Sequence, residues 1–307
     1  VHTRTIVDPD YGAKLSGQIG RFTLGVVTAN DVAPGNVDDP DDPAKDQTAQ
    51  TFIVRAQYDL FPESNAGVIF TDREFMDSYS RLYGVDSNIR FGSTISGDMK
   101  LVRSDRRGVG DEQATDGHLF STRLSRSGRT LNMSFQANQI SPDFETDVGF
   151  VRRRDQREAS GNASVRFWPT ESVLVNWGPS VDYGRLYDFS EVLQDENLGA
   201  GINFSFIRNI GLSANLSREM ERFRGTEYET SGFSVRGNVN APQYSFGTNF
   251  SKGESLFFSE EIVGDSFRWS VNGSFRPSDR MQTGLNYTAS RLTDPRKQDL
   301  ELFNVKI

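Results

Sequence analysis

The chain has 307 residues, 36% hydrophobic and 25% charged, a net charge of −8 and a mean hydropathy of −0.54. Its length suits one large or two ordinary domains, and no stretch approaches the roughly 18 apolar residues of a membrane-spanning helix. With no cysteine and only His2 and His118, thiolate chemistry and a disulfide framework are excluded, imidazole chemistry has little material, and the acidic balance speaks against nucleic acid.

Period-2 alternation recurs along the chain. Phe52, Val54, Ala56 and Tyr58 alternate with Ile53, Arg55, Gln57 and Asp59. Leu131, Met133, Phe135 and Ala137 stand against Asn132, Ser134, Gln136 and Asn138. The pattern returns at Leu198, Ala200, Ile202, Phe204 and Phe206, then at Ile210, Leu212, Ala214 and Leu216. Phe267, Trp269, Val271 and Phe275 follow, and finally Met281, Leu285, Tyr287 and Ala289. No helix-period segment of comparable length occurs, so the chain reads as all-β, with about seventeen strands at roughly 18 residues each. The 28 glycines and 23 phenylalanines fit such a chain of strands and turns.

The connections between the runs are expected to alternate. Short turns are predicted near 20–21, 62–65, 92–93, 127–128, 169–172, 208–209, 241–243 and 277–279. Longer segments are predicted at 30–50, 72–78, 105–117, 141–156, 190–196, 221–227, 252–264 and 293–298. A β-sandwich has no reason to alternate in this way, whereas an outer-membrane barrel joins its strands by short periplasmic turns and long external loops. One face of the strands is Phe, Leu, Val, Ala and Tyr; the other is Ser, Asn, Gln, Gly, Arg and Asp rather than a second apolar core. Aromatics near strand ends (Tyr11, Phe22, Tyr58, Phe61, Phe167, Trp168, Tyr244 and Tyr287) suit an interfacial girdle. Pro179 falls inside a long run and predicts either a bulge near the rim or a break into two strands. The expected fold is therefore an antiparallel up-and-down transmembrane β-barrel of about 16–18 strands. The rival fold is a soluble secreted β-sheet protein, which keeps the alternation but packs both faces.

Four segments resemble one bacterial family: Tyr11-Gly-Ala-Lys-Leu-Ser-Gly-Gln-Ile-Gly-Arg-Phe-Thr-Leu-Gly, Asn65-Ala-Gly-Val-Ile-Phe-Thr, Tyr83-Gly-Val-Asp, and Ser141-Pro-Asp-Phe-Glu-Thr-Asp-Val-Gly-Phe-Val-Arg-Arg-Arg-Asp. This pattern resembles the domain of unknown function 5916 family of Gram-negative outer-membrane barrels. The resemblance spans essentially the whole chain, with its firmest motifs before residue 155. It implies that residues 1–307 are a barrel domain of the cell outer membrane, which in that family usually follows an exported carbohydrate-binding family 9-like domain. That domain is absent from the sequence. The chain also starts at Val1 without a leader and ends within a strand pattern, from Leu300 to Ile307, so it reads as a fragment lacking its closing strand.

Several groups could carry function. The acidic run 38–46 offers hard oxygens for a divalent cation but lacks the spacing of a calcium loop, and its two prolines favour a solvated external loop. The densest basic cluster, Arg152, Arg153, Arg154 and Arg157, follows Phe144 and Phe150. Its guanidinium forks suit phosphate or carboxylate, as in lipopolysaccharide or a sugar acid, or else pair with neighbouring Asp and Glu in the barrel mouth. Arg103 to Arg107 reads as a weaker, exposed version.

Alternation assigns Arg55, Asp86, Asn88, Arg90, Asp98, Lys100, Arg123, Arg166, Arg236 and Asn286 to the polar face, where they either set solute selectivity or stiffen a wet lumen through salt bridges. Ser121 and His118 point to opposite faces of one strand, so no nucleophile–base pair follows, and no catalytic residue, metal or cofactor is expected. The expected function is that of a porin-like pore or surface protein for uptake or handling of a small solute, with a saccharide suggested by the resemblance. The expected surroundings are outer-membrane lipid and lipopolysaccharide. The alternative is a non-conducting barrel that anchors a carbohydrate-binding domain.

Overall fold

The structure, a computed structural model, describes residues 5–278, 280–293 and 299–306, the last as backbone alone. Among the described residues there are seventeen strands and no α-helix. They fall into two compact units, one of Val1–Ser125, Phe135–Ala159 and Asp188–Glu191, the other of Arg126–Ser134, Ser160–Tyr187 and Val192–Ile307.

The first unit opens with a meander of antiparallel hairpins: β1 (Pro9–Ile19), β2 (Phe22–Asp31), β3 (Ala49–Phe61), β4 (Ser64–Phe75), β5 (Ser78–Phe91) and β6 (Ile95–Arg107). Strands β7 (Thr115–Ser127), β8 (Leu131–Ile140) and β9 (Gln156–Val165) follow, divided between the units. The second unit continues as β10 (Leu174–Tyr187), β11 (Leu193–Phe206), β12 (Ile210–Phe223), β13 (Thr226–Asn240), β14 (Tyr244–Phe257), β15 (Ile262–Ser278), β16 (Met281–Thr293) and β17 (Asp299–Lys306). Each of these again pairs antiparallel with the next.

Register turns the alternation into two continuous faces. In the first unit Leu24, Ala56, Val68, Val85 and Leu101 stand in one cross-strand row. In the second unit Ile202, Ala214, Val235, Phe250, Trp269 and Ala289 do the same. Apart from Ala289, at 8%, these rows are open to the surroundings: Val68 is 51% exposed, Val85 45% and Trp269 42%. The buried apolar side chains are few and mostly small, among them Ala29, Ala49, Ile53 and Leu82. A soluble sandwich would have to cover such rows with a second sheet, so this apolar face is one that meets lipid.

The connections depart from strict alternation. Segments 32–48, 108–114 and 141–155 are long, as expected. The segments predicted as loops around 72–78, 221–227 and 252–264 are instead mostly strand, closed by tight turns at 76–77, 224–225 and 258–261. Arg224 and Gly225 take φ of 50° and 86°, the primed turn that matches hairpin twist. The physical reason is that the strands run on past the apolar band, and there the outward face changes to charge. Arg81 reaches Asp72 and Glu74 at 3.3 and 3.0 Å, and Arg218 reaches Glu229 at 2.8 Å. Segment 188–192 is shorter than predicted and 166–173 longer. The predicted connection near 293–298 falls at 294–298, outside the described residues, as do residue 279, His2 and Ile307.

Pro179 causes neither a bulge nor a break, because β10 is one strand whose register with β11 shifts only near its two ends. Trp177 exchanges both backbone bonds with Phe167, at 2.8 and 3.1 Å. Pro179, two residues on, has its nitrogen on that same side, and the ladder to β11 loses nothing.

Candidate functional site

The polar face of the first unit is a stack of cross-strand rows. Near the long connections, one row below Ala49, Phe75 and Ser78, the first polar row holds Thr51, Arg73, Ser80 and Arg106. Below it come Ile53, Thr71, Leu82 and Ser104, then Arg55, Ile69, Gly84 and Val102. The fourth row is Gln57, Gly67, Asp86 and Lys100, and the fifth Asp59, Asn65, Asn88 and Asp98.

Segment 141–155 folds down onto the upper rows. Ser141 starts it: its N–H donates to the His118 carbonyl at 3.0 Å, and its Oγ accepts from the His118 N–H at 2.8 Å. The Glu145 N–H then donates to Ser104 Oγ at 3.2 Å, and the Asp147 N–H to Ser80 Oγ at 3.0 Å. Both serines are buried, so their hydroxyls satisfy loop amides that water does not reach.

Arg106 donates to Asp147 at 3.0 Å and to Glu145 at 3.3 Å, while Arg73 lies 3.6 Å from Asp147. Between these polar ties Phe144 and Val148 are 2% and 0% exposed. Burial of such side chains contributes about 1.5–3 kcal/mol each. Gly117 makes the approach feasible, since a Cβ there would lie 2.3 Å from the Phe144 backbone.

Beneath the docked segment lies a cavity of about 470 Å³, with Ile69, Leu82, Val102 and Leu119 on its apolar side and Arg55, Asp86 and Lys100 on its polar side. Arg55 reaches Asp86 through two hydrogen bonds, one of them 2.7 Å. It passes over Gly67, where a Cβ would sit 2.6 Å from the guanidinium. Lower still, Asn88 donates to Asp98 at 2.6 Å, and Arg123 donates to Gln136. Lys100 is exposed and makes no ion pair among the described residues. Phe150, at the end of the docked segment, is 81% exposed.

Most residues assigned by alternation sit on the expected face. Arg55, Asp86, Asn88, Asp98, Lys100 and Arg123 gather around the cavities of the first unit. Arg90 lies on the same face near the short turns, 2.5 Å from Glu63. In the second unit Arg236 stands opposite Ser213 and Asn249, and Asn286 opposite Asn272. Arg166 is a correction. It lies just past β9, its N–H bonded to the Thr130 carbonyl at 2.7 Å and its guanidinium 5.8 Å from the Trp168 ring centre. The alternation was carried one residue too far.

Within the basic cluster, Arg154 pairs with Glu145 at 3.3 Å, and Arg157 covers the Phe189 ring at 4.4 Å. Arg152 and Arg153 are exposed beside a smaller cavity with Phe150. Arg157 also lies 3.9 Å from Glu191, so the cluster pairs with neighbouring carboxylates as expected, and strand arginines hold loop carboxylates besides. Arg73, Arg106, Glu145 and Asp147 were missed. Arg106 had been read as part of an exposed loop, but it is in β6, and Arg103 there pairs with Asp116 at 3.3 Å.

In the acidic run, Asp39 and Asp42 accept backbone N–H bonds from Asp41 and Ala44, and Lys45 ties the loop to the Val37 carbonyl at 2.6 Å. His118 Nε2 lies 3.1 Å from Gln139 Nε2, and Ser121 donates to Asn138, so the two make no pair. Tyr287 is mid-strand rather than at an end, whereas Phe22 and Tyr58 meet at 4.7 Å beside the 20–21 turn.

An all-β meander with an apolar outer face and a polar inner one defines an antiparallel up-and-down transmembrane β-barrel, the fold of the Gram-negative outer membrane. Solved structures agree. The chain superposes on OpdK of Pseudomonas aeruginosa, solved with vanillate, at a TM-score of 0.52 and 10% identity over 96% of this chain and 90% of that one. OccK2 (OpdF) of the same organism gives 0.51 and 8%, covering 96% and 87%, and OccK10 (OpdN) gives 0.50 and 10%, covering 96% and 91%. At these identities the likeness concerns the fold. No protein-family model and no curated protein matches the chain.

Proposed function

We propose that the chain is an outer-membrane channel for uptake of a small hydrophilic solute, and that segment 141–155 forms its selective contact. The observation that carries this reading is the docked segment itself. Two serines, two arginines and two buried apolar side chains hold it on the polar face, next to the exposed cations Lys100 and Arg152. A structure built only to anchor has no need of a pinned segment over its polar face, whereas charged rings and constrictions set selectivity in pores.

The cations favour a solute that bears an acid group, and the abundant Ser and Asn hydroxyls and amides favour a polyol frame. A saccharide or sugar acid has both. The resemblance to the domain of unknown function 5916 family belongs to the same proposal, since a carbohydrate-binding-like neighbour would supply such a solute.

Ion selectivity tests it. In planar bilayers Lys100→Glu with Arg152→Glu is expected to shift the reversal potential towards cation preference while steps remain visible. Unchanged selectivity would remove segment and lysine from the conduction path, and silence of the wild type at all voltages would favour the anchor.

A further inference from the structure

The lipid-facing side of the second unit carries a recess that the channel reading does not use. It measures about 620 Å³ and lies across β14–β16. Register orders its walls into rows. Lys252, Phe267 and Arg291 are directly opposite one another on three adjacent strands. From the next row towards the short turns Phe250 and Ala289 line the recess, with Trp269 between them in register. The row on the other side brings Glu254 opposite Asp265, and Asp265 opposite Thr293.

Ala289, only 8% exposed, lines the recess where the row of rings gives way to a small side chain. Phe250 and Phe267 meet edge to face at 5.5 Å, and Trp269 packs on Tyr287 at 5.7 Å with its N–H bonded to Thr248 at 3.0 Å. The recess is thus an apolar slot beside Phe250 and Phe267, and the Trp269 N–H next to it is already bonded. At the slot's upper margin the chemistry changes abruptly to two cations. Lys252 is eight residues beyond Tyr244, about 26 Å of strand and about 20 Å of height at the usual tilt, near the far edge of an apolar band about 25 Å tall.

We infer that this recess binds one phosphorylated acyl lipid of the outer leaflet, with a chain in the slot and its phosphate between Lys252 and Arg291. Charge complementarity and depth commit it to that occupant: an acyl chain alone needs no cations, and a free anion needs no aromatic slot. Arg291 has five N–H donors, enough to keep a partner within the protein and bind a phosphate together. Asp265 marks the outer limit, since a phosphate one row higher would meet its carboxylate.

The test uses the folded protein in detergent, with lipid A and dephosphorylated lipid A as probes and native mass spectrometry as the readout. Lys252→Ser with Arg291→Ser, and separately Ala289→Phe, are each expected to lower lipid A retention about tenfold, whereas Asn249→Ala on the polar face leaves it unchanged. Shifted gel migration of unheated samples confirms that each variant is folded. Equal retention by the double variant, equal binding of dephosphorylated lipid A, or displacement by inorganic phosphate would each overturn the inference.

Discussion

The polar faces of the two units are built from the same alternation and end up unlike. In the first unit the face is covered: segment 141–155 is bonded to it through Ser80 and Ser104, ion-paired through Arg73 and Arg106, and plugged by Phe144 and Val148. In the second unit the corresponding face is a lattice of small groups, such as Ser213, Asn249 and Ser274, with Arg236 and Arg268 exposed and without an ion pair among the described residues. The difference lies in which side chains interrupt the polar pattern. Ile69, Leu82 and Val102 give the first unit an apolar patch on its inner face, and an apolar patch on a wet face needs a cover. The second unit has no such patch in these rows, and its described connections from 207–209 to 258–261 are all short turns.

The largest effect is expected from removing the plug. Phe144→Ala alone should cost about 3–5 kcal/mol of docking energy. Combined with Val148→Ala it should release segment 141–155, read as rapid protease cleavage there while the barrel stays folded. If the double variant resists protease as the wild type does, the ion pairs rather than the plug hold the cover, and the comparison must be redrawn around Arg106.

Arg106→Met comes next. It leaves Glu145 and Asp147 with fewer partners on half-exposed groups, so the expected loss is about 1 kcal/mol, seen as faster hydrogen exchange in the segment without cleavage. Arg236→Met in the bare unit should change neither readout.

The smallest effect concerns Asp31, the last residue of β2, where the chain has left the apolar band. Burial raises its pKa, but N–H bonds from Val7, Asp8 and Ala33 outweigh this and hold it below the ordinary 3.8. A depressed carboxylate stabilises above its unfolded pKa and loses that contribution as pH falls through the folded value. Protease release of the residues around 7–8 should therefore rise only below about pH 3.8, and Asp31→Asn should release them at neutral pH.

Much of this was legible before the fold was seen. Residue types on alternate positions separated the apolar face from the polar one, and they placed Arg55, Asp86, Asp98, Lys100 and Arg236 correctly. The extent of the strands was not legible, because Asp72, Glu74 and Glu227 look like loop residues when a strand is assumed to end with the lipid. The docking of 141–155 was half legible. Phe144 and the arginines drew attention to the segment, but its anchors are hydroxyls at Ser80 and Ser104 and a missing Cβ at Gly117. Such residues carry no signal until tertiary structure brings them together. Pro179 misled for a related reason: a proline breaks a ladder only on the side its nitrogen faces.

The account stands most directly on the unit conductance of the purified protein in planar bilayers, wild type against Phe144→Ala/Val148→Ala. It predicts discrete steps for the wild type and larger, noisier steps once the segment is free. Steps of identical size in both proteins, or none in either, would contradict it.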